Sequence, residues 1–123
     1  MAHGQITHIE FPADDLDRAK RFYSELFGWQ LAEWPEFPDY LLFSTGRSES
    51  AGGAIGTRGK SVGEKLRIYI EVDEIDDVLP RVPELGGKVV TSKTQIPGQG
   101  WYAVIVDSEG SEVALYQGRS PDA

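Results

Sequence analysis

The chain has 123 residues, 40% of them hydrophobic, with a net charge of −8 and no cysteine. That length fits one domain, or two small half-domains sharing a core, and the negative balance argues against nucleic acid or an anionic membrane surface as partner. Without thiols there are no disulfides, thiolate metal sites or cysteine nucleophiles; with no apolar run near the ~20 residues of a membrane span and no basic, apolar leader at the N-terminus, a cytoplasmic location is expected.

Ile6 to Phe11 reads as a strand. Asp14 or Asp15 can cap the helix that follows, a carboxylate accepting free backbone N–H groups. Leu16, Ala19, Phe22, Tyr23, Leu26 and Phe27 recur at helical spacing and form one apolar face. Gly28 ends this helix, since glycine tolerates a positive φ. Trp29 to Ala32 makes a second strand, Pro35 and Pro38 bracket a turn, and Tyr40 to Phe43 makes a third. Residues 44–65 are rich in Gly and Ser; Ala51 to Gly56 is a short fourth strand and Gly56 to Glu64 the loop joining the halves.

Leu66 to Val72 alternates as a strand. Ile75, Val78, Leu79, Val82 and Leu85 suit a helix, but Pro80 and Pro83 do not, because interior proline costs ~3 kcal/mol. Pro80 is therefore expected in a first turn, and the helix short or bent near Pro83. Strands follow at Lys88–Val90, Trp101–Val106 and Glu112–Gln117, with Asp107 to Gly110 as the hairpin turn between the last two. Gln95 to Gly100 is either an ordinary hairpin loop or a mobile cover.

Residues 8–31 and 67–90 align without a gap at a constant offset of 59. His8-Ile-Glu-Phe lies over Arg67-Ile-Tyr-Ile, and Leu26-Phe-Gly28 over Leu85-Gly-Gly87. A chain built from two such units is expected to place one binding site between them. Strand parity defines two sides. Ile9, Phe11, Leu66, Ile68, Ile70, Val72, Val113 and Leu115 form an apolar, helix-facing set. His8, Glu10, Arg67, Tyr69, Glu71, Glu112, Ala114 and Tyr116 fall on the other side.

That polar side has two readings. It is either a self-satisfied ion and hydrogen-bond network, or a site in which Arg67 holds a ligand oxygen with its planar fork. In the second reading Tyr69, Trp101 or Tyr116 packs on the ligand body, and His8 and Glu112 orient it. His8, Glu10 and Glu112 are the candidate acid–base residues. Trp34, set between acids and prolines, is the candidate exposed aromatic contact. Phosphate-loop, nucleophile-elbow and His-Glu-x-x-His patterns are absent from the sequence.

The order of these pieces resembles the vicinal oxygen chelate superfamily, which includes glyoxalase I, bleomycin resistance proteins and extradiol dioxygenases. The resemblance rests on His8-Ile-Glu-Phe, Asp15-Leu-Asp-Arg-Ala, Phe22-Tyr and Leu26-Phe-Gly28 in the first half. In the second it rests on Ile70-Glu-Val-Asp-Glu-Ile-Asp76, Leu85-Gly-Gly-Lys-Val-Val90, Pro97-Gly-Gln-Gly-Trp101 and Asp107-Ser-Glu-Gly-Ser111. It implies an α+β fold of two βαβββ modules, about 5–58 and 65–118 within a single domain spanning 1–123, whose curved mixed sheets surround a cleft with the helices on the outer face. By position its metal ligands would fall at His8, near Gly53, at Arg67 and at Ala114. Only His8 can donate to a metal, so no metal and no cofactor are expected. A metal-free small-molecule binding protein, homodimeric and with an aromatic or planar guest, follows as the functional expectation. A metal-dependent glyoxalase-like lyase or isomerase, or an extradiol-type dioxygenase, is the alternative.

Overall fold

A computed structural model describes residues 3–45 and 52–119. The chain forms two compact units, residues 7–68 and residues 1–6 with 69–123. The first half runs strand, helix, three strands, the second strand, two one-turn helices, three strands, and the class is α+β. Ala51 and the Gly46–Ser50 stretch lie outside the described residues. Among the described residues no helix is long and apolar enough to cross a membrane.

The first half comprises β1 (Ile6–Ala13), α1 (Leu16–Phe27), β2 (Gln30–Trp34), β3 (Phe37–Ser44) and β4 (Gly52–Thr57), with strand order β2-β3-β4-β1. β1 and β4 pair in parallel and the other neighbours antiparallel, so this sheet is mixed. Asp15 caps α1 in an extended conformation, its carboxylate accepting from the Arg18 N–H at 3.0 Å. Gly28 closes the helix at φ 76°, its N–H donating to the Ser24 carbonyl, a left-handed conformation that costs glycine little. Ala13, Phe43 and Ile55 form the core, with Phe11, Leu16, Ala19, Tyr23, Trp29 and Leu31 packed on it. Trp29 stacks on Phe43 at 4.3 Å and on Tyr23 at 5.0 Å. The turn expected between Pro35 and Pro38 is tighter than that. β3 already starts at Phe37, and the register shifts between Glu33↔Leu41 and Trp34↔Phe37, where Pro38, Asp39 and Tyr40 of β3 have no counterpart on β2.

The second half comprises β5 (Arg67–Glu71), α2 (Ile75–Val78), α3 (Arg81–Glu84), β6 (Lys88–Ile96), β7 (Gly100–Val106) and β8 (Glu112–Gly118), in the order β5-β8-β7-β6. The single helix of the first half is here two one-turn helices. Pro80 stands at the N-cap of α3 and Pro83 within its first turn, where no helical donor is needed. Gln117, on β8, replaces the missing side-chain cap of α2, its Oε1 accepting from the Ile75 N–H at 2.7 Å. Val72, Ile75, Ala103 and Leu115 form the core, and Ile70, Val78, Leu79, Trp101 and Ile105 pack against it. β6 runs six residues past the expected Val90, to Ile96, so the segment from Gln95 to Gly100 is an ordinary hairpin, with the Gln99 N–H on the Ile96 carbonyl at 2.9 Å. Leu66 departs from the expected helix-facing set: it precedes β5 and is 50% exposed.

β4 depends on having almost no side chains on one edge of its path. A Cβ at Gly53 would run into the Ile9 carbonyl oxygen across the parallel ladder. Gly53→Ala should therefore destabilise the fold by ~1–3 kcal/mol, the usual range for overpacking, and chemical denaturation of the two proteins measures it. Equal midpoints would show that β1 yields at no cost.

Candidate functional site

Three side chains of the first unit form a hydrogen-bonded chain on the side of the sheet away from α1. The Tyr40 hydroxyl donates to Glu10 Oε2 at 2.7 Å and meets His8 Nε2 at 2.8 Å. His8 and Glu10 share a side of β1 because they are two apart. Tyr40 comes from β3, with β4 lying between. Strands two apart are separated by about 10 Å, and a phenol spans that only over small residues. Glu10 stands beside Ala54, and Tyr40 beside Gly56. Ala54 is fully buried, and a Cβ at Gly56 would press on Val62, Ser61 and the Tyr40 ring.

The backbone before Tyr40 is held as well. Asp39 has φ 61°, a left-handed conformation that Asp tolerates better than most residues. Its carbonyl accepts from the Ser61 hydroxyl and its carboxylate pairs with Lys60 at 2.7 Å. Trp34 and Phe37 pack together at 4.2 Å, and Trp34 stands 5.9 Å from the Tyr40 ring. Trp34, the aromatic expected to be exposed, is half-buried and packs with Phe37 and Tyr40.

A proton count sets the polarity of the chain. Glu10 is only 6% exposed, and as a carboxylate it can only accept. With the Tyr40 proton on Glu10, the Tyr40 oxygen can accept from His8, which fits the tautomer protonated at Nε2. Burial lowers the His8 pKa below its ordinary 6.5, favouring the neutral ring. In that state one ring nitrogen donates and the other accepts, which lets His8 take part in proton transfer.

Arg67, at the start of β5, has its guanidinium against the backbone of Gly63, where a Cβ would lie 3.0 Å from Nη2. In the second unit Tyr69 pairs with Ala114, and Glu71 with Tyr116. Burial, and then the negative charge of Glu71, raise the Tyr116 pKa above its ordinary 10.0; its hydroxyl donates to the Gln99 carbonyl at 2.8 Å. Glu112 is exposed at the first residue of β8, opposite Val106. Trp101 does not share a side with Tyr116. It pairs with Gln117, packs on the helix-side core, and carries the Lys93 ammonium 5.0 Å above its ring.

The donor set does not fit a resident divalent metal. The parallel register puts Gly53 beside Ile9, so Ala54, not Gly53, shares the side of His8 and Glu10. Ala54 and Ala114 have no lone pair to offer and Arg67 stays protonated, whereas a protein metal site takes about three or four donors. Among the described residues no group of three or more His, Asp or Glu is placed to hold a metal ion.

The lowered His8 pKa has a signed consequence. The unfolded chain binds a proton near pH 6.5 that the folded chain resists, so stability is complete above that pH and falls as pH drops below it. Denaturation midpoints measured from about pH 7.5 to about pH 5 should fall, and His8→Gln should flatten part of the slope. An unchanged slope in His8→Gln would mean that other groups carry it.

Comparison with known proteins follows the same chain path. The bleomycin resistance protein-like N-terminal family matches residues 5–46, which take in β1 to β3. A glyoxylase-like domain-containing protein of Didymella fabae is 28% identical over 121 residues, 94% of each chain. A putative glyoxylase of Mycobacterium bovis is 29% identical over 119 residues, 93% of this chain, and the chain spans 46% of that relative's length. A crystal structure of a glyoxalase/bleomycin resistance protein/dioxygenase superfamily member from Vibrio splendidus 12B01 has a TM-score of 0.66 at 12% identity, covering 91% of this chain and 97% of the other. At that identity the likeness is one of fold. The chain is thus similar over residues 5–46 to the bleomycin resistance protein-like N-terminal family, over most of its length to glyoxylase-like proteins, and in fold to a glyoxalase/bleomycin resistance protein/dioxygenase superfamily member.

Proposed function

We propose that this protein binds a small organic molecule without a metal, and that it does so as a homodimer. The observation that carries this reading is the Glu10–Tyr40–His8 chain, in which a buried carboxylate and a phenol set the polarity of an imidazole. The aromatic group of Trp34, Phe37 and Tyr40 adjoins it, and such surfaces suit a planar body. Arg67 supplies a fork for an oxygen acceptor on the guest. Tyr69, Tyr116 and Glu112 are the corresponding candidates of the second unit. If a reaction is catalysed, His8 is the base, and Glu10 acts through Tyr40.

The glyoxylase names of the relatives favour a second reading, a metal-dependent lyase, isomerase or ring-cleaving dioxygenase. It requires ligands beyond His8 and Glu10. Native mass spectrometry of protein purified without chelator separates the two. The expected spectrum carries no stoichiometric zinc, nickel, iron or manganese, with or without an organic adduct. About one metal ion per chain would favour the second reading.

For a planar, oxygen-bearing compound that binds in a thermal-shift screen, Arg67→Ala should weaken affinity roughly ten- to a hundredfold. That is the effect of losing a charge-assisted hydrogen bond of ~1.5–3 kcal/mol. Unchanged affinity with a large loss of thermal stability would assign Arg67 to structure instead.

A further inference from the structure

The apolar face of α1 is wider than the sheet it covers. Leu16, Ala19 and Tyr23 pack on the core of the first unit. Phe22 and Leu26 recur at the next helical positions and are 55% and 61% exposed. With Arg18, Arg21 and Glu25 they line a shallow groove of about 420 Å³. Exposed aromatic and leucine side chains in one stripe, rimmed by charge, mark an interaction surface.

We propose that this stripe is the seat of a second copy of the same chain, with α1 of each copy packed antiparallel about a two-fold axis. The inference rests on the homodimer reading and names its face. The charges select this occupant. Arg18 and Glu25 are equally distant from the midpoint of Arg21 and Phe22, each ~5 Å along the axis at about 1.5 Å per residue. They also lie on the same flank of the Phe22–Leu26 stripe, by helical spacing. A two-fold axis normal to the helices at that midpoint keeps the flank and reverses the direction. Arg18 of each copy then faces Glu25 of the other, so one contact is made twice. Glu25 already receives Arg21 of its own helix at 2.8 Å, and in the pair it sits between two guanidinium groups. The Phe22 rings meet at the centre, and the two Leu26 side chains lie ~7 Å to either side of it. A partner of uniform charge would match only half of this rim.

Sedimentation velocity over about 1 to 100 μM tests the face, in the micromolar range typical of modest interfaces. The wild-type chain should dimerise, and Phe22→Glu or Leu26→Lys should give monomers with an unchanged far-ultraviolet circular dichroism spectrum. Arg18→Glu and Glu25→Arg should each weaken dimerisation several-fold, and the double variant should restore it. A wild-type monomer throughout would overturn both the dimer and the face. A dimer indifferent to these substitutions would leave the dimer standing and overturn the face. If Phe22→Glu misfolds, the charge-swap pair still decides, because its residues are solvent-facing.

Discussion

The approach of β1 to β4 sets the limits within which the first unit is built. The two strands run parallel, and at Gly53 the Ile9 carbonyl occupies the space a side chain would take. On the helix side Ile55 is fully buried in the core; on the other, Ala54 and Gly56 leave a low floor. Tyr40 reaches over that floor to Glu10 and His8, which no side chain on an adjacent strand needs to do. A larger residue at Ala54 or Gly56 would lift the phenol and separate the imidazole from the carboxylate. The thin strand therefore serves packing on one side and polar chemistry on the other.

The hydrogen-bonded chain is constrained by its proton count as much as by distance. A carboxylate accepts, a phenol has one proton, and an imidazole has two nitrogens with different duties. Placing Glu10 in a buried position at one end favours one tautomer of the neutral His8 at the other. Burial of the ring works in the same direction, because it disfavours the imidazolium. The residues at the matching positions of the second half differ: Arg67 stands where His8 does in the repeat, and Tyr69 stands where Glu10 does. The repeat is thus conserved in backbone plan and divergent in chemistry.

The helices diverge too. α1 carries an aspartate cap, a glycine stop and an apolar arc that exceeds what its sheet can bury. The second half loses the long helix at Pro80 and recruits Gln117 from β8 to satisfy the Ile75 N–H. A helix cap borrowed from a strand ties α2 to the sheet where a local cap would tie it only to its own turn. The exposed arc of α1 is the reverse case, an apolar surface that its own sheet leaves uncovered.

The sequence by itself determined the order of the strands, the internal repeat, the cap and stop of α1, the shortness of the second-half helix near Pro80 and Pro83, and the parity that puts His8 and Glu10 on one side of β1. These are local properties: periodicity, capping chemistry and proline sterics act over a few residues. It also located the poverty of metal donors, since Arg67 and Ala114 cannot change their chemistry. Only the tertiary structure decided that Tyr40 completes the polar chain, that Ala54 and not Gly53 stands beside Glu10, and that Trp101 belongs to the core. Each of these depends on cross-strand register between distant segments, and a shift of one residue would exchange the two sides. Phe22 and Leu26 show the same division. Their helical spacing was legible as part of one apolar face, but which portion the sheet covers depends on how α1 is rotated against it.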